Sequence, residues 1–216
     1  MLALYGHPFS SYTWKALIAL YASGIPFDFR NVDETHPENA VVVAATGPLG
    51  KFPVLAENGR RVFEATAIIE YLVAHHPAAA SLLPSDPKAA VVTRMMDRVF
   101  DNYVMGPMQE VVAAYIRRPD SPEPDVLARS RDQLDRSYAW LDKWLDGHPY
   151  GESVSLVECA AAPALFYADW VHPIPSSFTR LLRFRAHLLA LPAMARCVDD
   201  ARPFRSYFPL GAPDRD

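Results

Sequence analysis

The period of the apolar positions changes partway along the chain, and the change divides it in two. Up to about residue 76, short apolar runs alternate with helical stripes. Leu2-Ala3-Leu4-Tyr5 reads as a short strand and Gly6-His7-Pro8 as the turn leaving it. Trp14, Leu17, Ile18 and Tyr21 then recur at helical spacing until Gly24, a usual stop. A second strand has Phe27 and Phe29 on one face and Asp28 and Arg30 on the other, and a strand-helix-strand crossover predicts a parallel pair. Residues 37–45 predict a short helix. Asn58-Gly59 lies between two short apolar runs, and because both residues tolerate positive φ it predicts a tight hairpin. Ala65, Ile68, Ile69 and Leu72 fall at i, i+3, i+4 and i+7, which is one face of a helix. The element order is βαβαββα.

Beyond this the strands stop. Residues 77–87 carry prolines at 77, 84 and 87 and little periodicity, so 78–86 reads as a linker. Asp86-Pro87 is an N-cap followed by proline at the first helical position. Val91, Val92, Met95, Met96, Val99, Phe100 and Tyr103 give the next helix a wide apolar face. Gly106-Pro107 is expected to kink or break that helix before Val111, Val112 and Tyr115 resume it. A proline-rich loop spans 117–124. Leu134, Tyr138, Leu141 and Leu145 mark a further helix that Gly147 ends. Ser155 and Glu158 have the spacing of a capping box before an alanine-rich helix containing Pro163. Helices at about 177–190 and 192–201 finish an all-α half. The expected architecture is α/β plus all-α, with domains at 1–77 and 87–216.

The chain's 216 residues suffice for two small domains with ample cores. A net charge of −4 without any basic stripe argues against a nucleic-acid partner. No apolar run reaches the length of a membrane span, and the first residues lack a charged leader, so a cytoplasmic location is expected. Cys159 and Cys197 both lie in apolar helical patterns and read as buried packing residues. No metal-ligand spacing is present, and no Cys-x-x-Cys supports disulfide exchange.

Candidate chemistry gathers in residues 50–72. Proline cannot donate to a sheet ladder, so Pro53 belongs at a strand start or an edge. Glu64-Ala65-Thr66 marks the change from strand to helix, where free amides can receive a carboxylate. An extended peptide could pair beside Pro53 with its anion at the helix start.

Four stretches together resemble the cytosolic glutathione S-transferase family: Ser10-Ser11-Tyr12-Thr13-Trp14-Lys15, Gly50-Lys51-Phe52-Pro53-Val54-Leu55, the run from Glu64 to Leu72, and the Ser155 capping box. The Ser-Ser-x-x-Trp-Lys pattern is similar to its serine-type classes, the zeta, tau, theta and beta-like bacterial members. The resemblance covers nearly the whole chain. It implies an N-terminal thioredoxin-like domain, a helical C-terminal domain, glutathione as co-substrate, no metal, and a homodimer with each site close to the subunit interface. It further implies that Pro53 is a cis-proline and that Lys51, Phe52, Pro53, Val54, Glu64, Ala65 and Thr66 form the glutathione-binding set. Val54 would pair with the cysteinyl backbone, Lys51 would lie near the glycyl end, and Glu64 and Ala65 would hold the γ-glutamyl end. Ala65 departs from the family's usual serine, removing one hydroxyl donor, and Thr66 is the candidate to replace it.

A thiol attacks as its thiolate, and at a pKa of about 8.5 only a few per cent is ionised near neutrality. Ser10 is the first candidate to stabilise the thiolate and Ser11 the second. Either serine could instead be a plain helix cap, and the phenols of Tyr5 and Tyr12 are rival donors. Tyr103, Met108 and Tyr115 flank the Gly106-Pro107 break and are candidates for an apolar second-substrate pocket, with interhelical packing as the alternative. The expected activity is that of a glutathione transferase, a detoxification enzyme conjugating glutathione to a small electrophile. A glutathione-dependent isomerase of the maleylacetoacetate type and a non-catalytic binding module are the alternatives.

Overall fold

The structure is a computed structural model that describes residues 1–151 and 153–216. Strand β1 (Leu2–Gly6) leads into helix α1 (Ser11–Ala22), followed by β2 (Asp28–Asn31), α2 (Pro37–Ala44), β3 (Val54–Glu57), β4 (Arg60–Phe63) and α3 (Ala65–His75). The sheet order is β2-β1-β3-β4, with β1 parallel to β2 and antiparallel to β3, and with β3 antiparallel to β4. The β3–β4 hairpin turns at Asn58 and Gly59, whose φ values of 50° and 81° are those the sequence predicts there. Ala65, Ile68, Ile69 and Leu72 are all buried against the sheet and α1. The Phe52–Pro53 peptide is cis, as the resemblance implies.

Residues Pro77–Leu82 form a 3-10 helix, and Ala79 and Leu82 are buried in the core. Lack of helical periodicity there marks a three-residue turn with few buried positions.

The rest of the described chain is helical: α4 (Pro87–Val99), a π-helical segment (Phe100–Met105), α5 (Gly106–Arg117), α6 (Pro124–Gly147), α7 (Leu156–Val171), α8 (Thr179–Ala190), α9 (Pro192–Ala201) and a 3-10 turn (Arg202–Tyr207). α7 runs through the centre with nearly every residue buried. The Ser155–Glu158 capping box that opens it is formed, with the Glu158 carboxylate accepting the Ser155 amide at 2.8 Å. Trp14 of α1 packs on Phe166 and Tyr167 of α7 at 5.0 and 5.1 Å, joining the two halves. Cys159 and Cys197 are buried free thiols whose pKa values burial pushes up, so neither is poised to react.

Two sequence expectations need correction. The wide apolar face of α4 is not a core face throughout: Met96 and Phe100 are buried, whereas Val91, Val92, Met95 and Tyr103 are exposed. Of the kink or break expected at Gly106-Pro107, a break does not occur. The turn before it widens, with the Gly106 amide reaching the Asp101 carbonyl five residues back. Pro107 has no amide to offer the Tyr103 carbonyl, and the Ser137 hydroxyl of α6 lies 2.8 Å from that oxygen, its one proton shared between it and the Gln133 carbonyl at 2.8 Å.

Candidate functional site

Two cavities of about 300 Å³ each meet at Phe52, which lines both. The first lies along the loop before β3 and the start of α3. It is lined by Lys51, Phe52, Pro53, Glu64 and Ala65, joined by Tyr12, residues 46–50, and Arg98, Asp101 and Asn102 of the helical half. Glu64 adopts φ 69°, ψ 118°, a conformation uncommon for a residue with a side chain. Such strain persists only where surrounding structure over-determines it, and it marks candidate functional positions. Glu64 makes no side-chain bond to the first turn of α3, so that helix end lacks a side-chain cap at the cavity. Gly50 is fixed by sterics as well as by φ 54°, since a Cβ there would sit 2.9 Å from the Ala44 backbone.

Val54 lies elsewhere. It is fully buried and paired with Tyr5 on one side and Phe63 on the other, so it forms part of the sheet and lines neither cavity. Phe52, one residue before the cis-proline, is the residue of this segment that both cavities share.

Thr66 is also drawn away. Its hydroxyl donates to Asp97 at 3.0 Å and accepts from Lys15 at 2.9 Å, so its single proton is committed and cannot replace the hydroxyl missing at Ala65. It belongs to a buried ionic cluster between the halves, in which Lys15 Nζ contacts Asp97 at 2.5 Å and Asp101 at 2.7 Å. Half-exposed Arg98 closes the cluster on the cavity side by pairing with both aspartates. Burial pushes the Asp101 carboxyl up against the pull of Lys15, and the buried Asp101 Oδ1 has no hydrogen-bond partner among the described residues. The sequence carried a signal for this cluster: Lys15 interrupts an apolar helix, and lysine is almost never fully buried unless paired. Asp97, Arg98 and Asp101, spaced along the next long helix, are the partners it required.

The second cavity lies between the β1–α1 turn, α5 and the C-terminal residues. Ser10, Ser11 and Met108 line it with His7, Phe9, Gln109, Val112, Ile116, Tyr167, Tyr207 and Phe208. Ser10 is the N-cap of α1, its Oγ accepting from the Thr13 amide at 3.3 Å. Capping uses only a lone pair, so the hydroxyl proton remains free to donate, and cap and thiolate donor are compatible roles. Ser11 Oγ accepts from Gln109 Nε2 at 3.0 Å, and Ser11 is almost fully buried. Tyr12 faces the first cavity; burial foremost, with Asp101 next, pushes its phenol up to about 12, so it stays protonated. Tyr5 belongs to the sheet, opposite Val54 and Arg30.

Of the three candidates for an apolar pocket, Met108 alone lines this cavity. Tyr103 is exposed on a separate groove with Pro107 and Trp140, since five and nine residues of helix separate it from Met108 and Val112 and set it on another face. Tyr115 is half-buried and lines neither cavity. Among the described residues, no cluster of His, Cys, Asp and Glu could hold a metal ion, and no helix is long and apolar enough to cross a membrane.

Comparison with known proteins identifies the family and the fold. Residues 4–80 match the glutathione S-transferase N-terminal domain, and residues 124–187 match the glutathione S-transferase C-terminal domain. The chain is 31% identical to the uncharacterised GST-like protein YibF of Escherichia coli, over 81% of this chain and 85% of that one. It is 22% identical to a probable maleylacetoacetate isomerase of Caenorhabditis elegans, over 93% and 94% of the two chains. A crystal structure of a glutathione S-transferase from Methylobacillus flagellatus KT with glutathione bound superposes with a TM-score of 0.76 at 26% identity, covering 91% of this chain and 98% of that one. The chain belongs to the glutathione S-transferase family, with a thioredoxin-like N-terminal domain and a helical C-terminal domain.

Proposed function

We propose that the protein is a glutathione transferase that binds glutathione in the first cavity and presents its sulfur, past Phe52, to Ser10 at the edge of the second. A small electrophile occupies the second cavity. The observation that carries this reading is the junction itself: a polar cavity at a helix start and a largely apolar one adjoin at a single residue, with a capping serine on the apolar side.

The γ-glutamyl carboxylate lies at the α3 N-terminus near the Ala65 amide, where the helix dipole and free amides favour an anion. Its ammonium lies beside the Glu64 carboxylate. The cysteinyl backbone runs beside Phe52 and Pro53, and the glycyl end lies near Lys51. Lowering a thiol pKa by about two units requires about 2.7 kcal/mol of preference for the anion. A hydroxyl donor at Ser10 together with the α1 N-terminal amides is of the right size. Holding both reactants in adjoining cavities supplies proximity.

A homodimer is part of the same reading. The exposed Val91, Val92 and Met95 on one face of α4 form the kind of apolar patch that a second copy would cover. A second reading, a glutathione-dependent isomerase of the maleylacetoacetate type, is favoured by the relative from C. elegans, which matches over 93% of the chain. Calorimetric titration with glutathione followed by parallel conjugation and isomerisation assays separates the two. The transferase reading expects saturable binding and conjugation of an aryl electrophile. Absence of glutathione binding would overturn both enzymatic readings and leave a binding module.

A further inference from the structure

His7 stands in the turn between β1 and α1, its carbonyl accepting from the Ser10 amide at 3.0 Å, so it shares one turn with the candidate thiolate donor. Its Nδ1 accepts from the Phe9 amide at 3.1 Å. An imidazole nitrogen that accepts carries no proton, so the neutral ring bears its hydrogen on Nε2. The ring is held edge-on to Phe204 at 4.8 Å and tilted against Tyr207 at 6.1 Å, both from the C-terminal 3-10 turn. Burial holds its pKa below the ordinary histidine value against the opposing pull of Asp33, so the ring is neutral near pH 7.

His7 lines the second cavity, whose walls are otherwise largely Phe9, Phe52, Met108, Val112, Ile116 and Phe208. Two of the other polar groups there are engaged with the protein, and the Ser10 hydroxyl is assigned to the sulfur. Gln109 donates to Ser11, and the Tyr167 hydroxyl donates to the Phe9 carbonyl at 3.0 Å. His7 Nε2 makes no hydrogen bond to any described residue and is not among the sealed-off buried atoms. Apolar pockets with a few fixed polar groups use those groups to orient the ligand.

Resting on the transferase reading above, we propose that His7 determines electrophile specificity by donating its Nε2–H to an acceptor oxygen conjugated to the carbon that glutathione attacks. The class of electrophile is an α,β-unsaturated carbonyl compound. The thiol proton leaves to solvent, the thiolate sulfur bonds the β-carbon, and the π pair of the carbon–carbon double bond shifts to give an enolate oxygen. The His7 N–H strengthens its bond to that oxygen as charge develops, which is stabilisation specific to the transition state. A proton from water then reaches the α-carbon and yields the neutral thioether, so nothing is oxidised or reduced. In an alkyl halide the charge develops on a halide opposite the attacking sulfur and not on a conjugated oxygen, so that reaction draws less on a donor placed for the carbonyl.

The test compares kcat/KM for benzylideneacetone with that for benzyl chloride in the wild type and in His7→Phe, His7→Gln and Tyr207→Phe. A ratio within one protein is independent of how much of it is folded. His7→Phe is expected to lower the enone-to-halide ratio at least tenfold, the scale of a hydrogen bond to a developing charge, and His7→Gln, which keeps an N–H, to recover much of it. A ratio within twofold of wild type in His7→Phe, an equal fall in His7→Gln, or a fall in Tyr207→Phe instead overturns the assignment. A wild type that binds glutathione by calorimetry yet turns over neither compound overturns it too. A wild type that fails to bind glutathione overturns the transferase reading beneath it.

Discussion

The two cavities adjoin at Phe52, yet they are built from different materials. The first is made mainly by backbone and charge: a cis-proline bend, a helix start entered through a positive-φ glutamate, and the Arg98–Asp101 pairing that closes the interdomain cluster. The second is made by side chains that α1, α5, α7 and the C-terminal turn bring together from distant parts of the chain. A site built from backbone tolerates sequence drift around it but not loss of its few special residues. A site built from side chains tolerates most single changes, each altering shape by a fraction of the whole.

The interdomain cluster is where that contrast breaks most sharply. Lys15→Met leaves Asp97 and Asp101 buried without their main counter-charge and is expected to destabilise the fold by about 3–5 kcal/mol, read as a shift in the urea unfolding midpoint. A loss under about 1 kcal/mol would show that solvent or Arg98 neutralises the aspartates. Next in size, Glu64→Ala is expected to weaken glutathione binding by about 10- to 150-fold, the equivalent of ~1.5–3 kcal/mol for a hydrogen bond to a charged group. Calorimetry measures this directly.

The second cavity responds more gently. Ile116→Ala removes part of an apolar wall and is expected to raise the electrophile KM about fivefold, from about 1 kcal/mol of lost contact, while the glutathione Kd stays constant. Tyr103→Ala, on the far groove, is expected to move neither constant. A change in electrophile KM with Tyr103→Ala would place the electrophile in that groove instead.

The smallest effect concerns Asp33, held at about 2 by hydrogen bonds from Thr35 and His36, against an ordinary 3.8. A depressed folded-state value contributes stability that is present above 3.8 and lost as pH falls toward 2. Thermal unfolding of wild type and Asp33→Asn should therefore differ at neutral pH and converge in strong acid.

The same contrast explains what could be read from the chain. Asn58-Gly59, the Ala65–Ile68–Ile69–Leu72 stripe and the Asp86-Pro87 cap are local signals, and the structure forms each as the pattern requires. Lys51, Phe52, Pro53, Glu64 and Ala65 line one cavity because a single strand-turn-strand-helix unit carries them all. Thr66 and Val54 sit in that unit but point into other partnerships, one with Lys15 and Asp97, the other within the sheet. Tyr115 shares a helix face with Met108 but lies two turns further along α5, and Tyr103 lies on another face, so distance from the cavity and helix rotation, neither marked by a local residue pattern, separate the three. His7, Gln109 and Phe208 meet only through tertiary packing. Nothing in their local sequence announces it.

The central claim is that Ser10 caps α1 with a lone pair and keeps its proton for the glutathione sulfur. Ultraviolet absorbance of the thiolate, followed against pH in the glutathione-saturated wild type and in Ser10→Ala, tests it most directly. The account predicts a bound thiol ionising about two units below the ~8.5 of a free thiol in the wild type, and a rise of about one unit or more once the hydroxyl is removed. Equal ionisation in both saturated proteins would contradict it and move the donor to Ser11 or Tyr12.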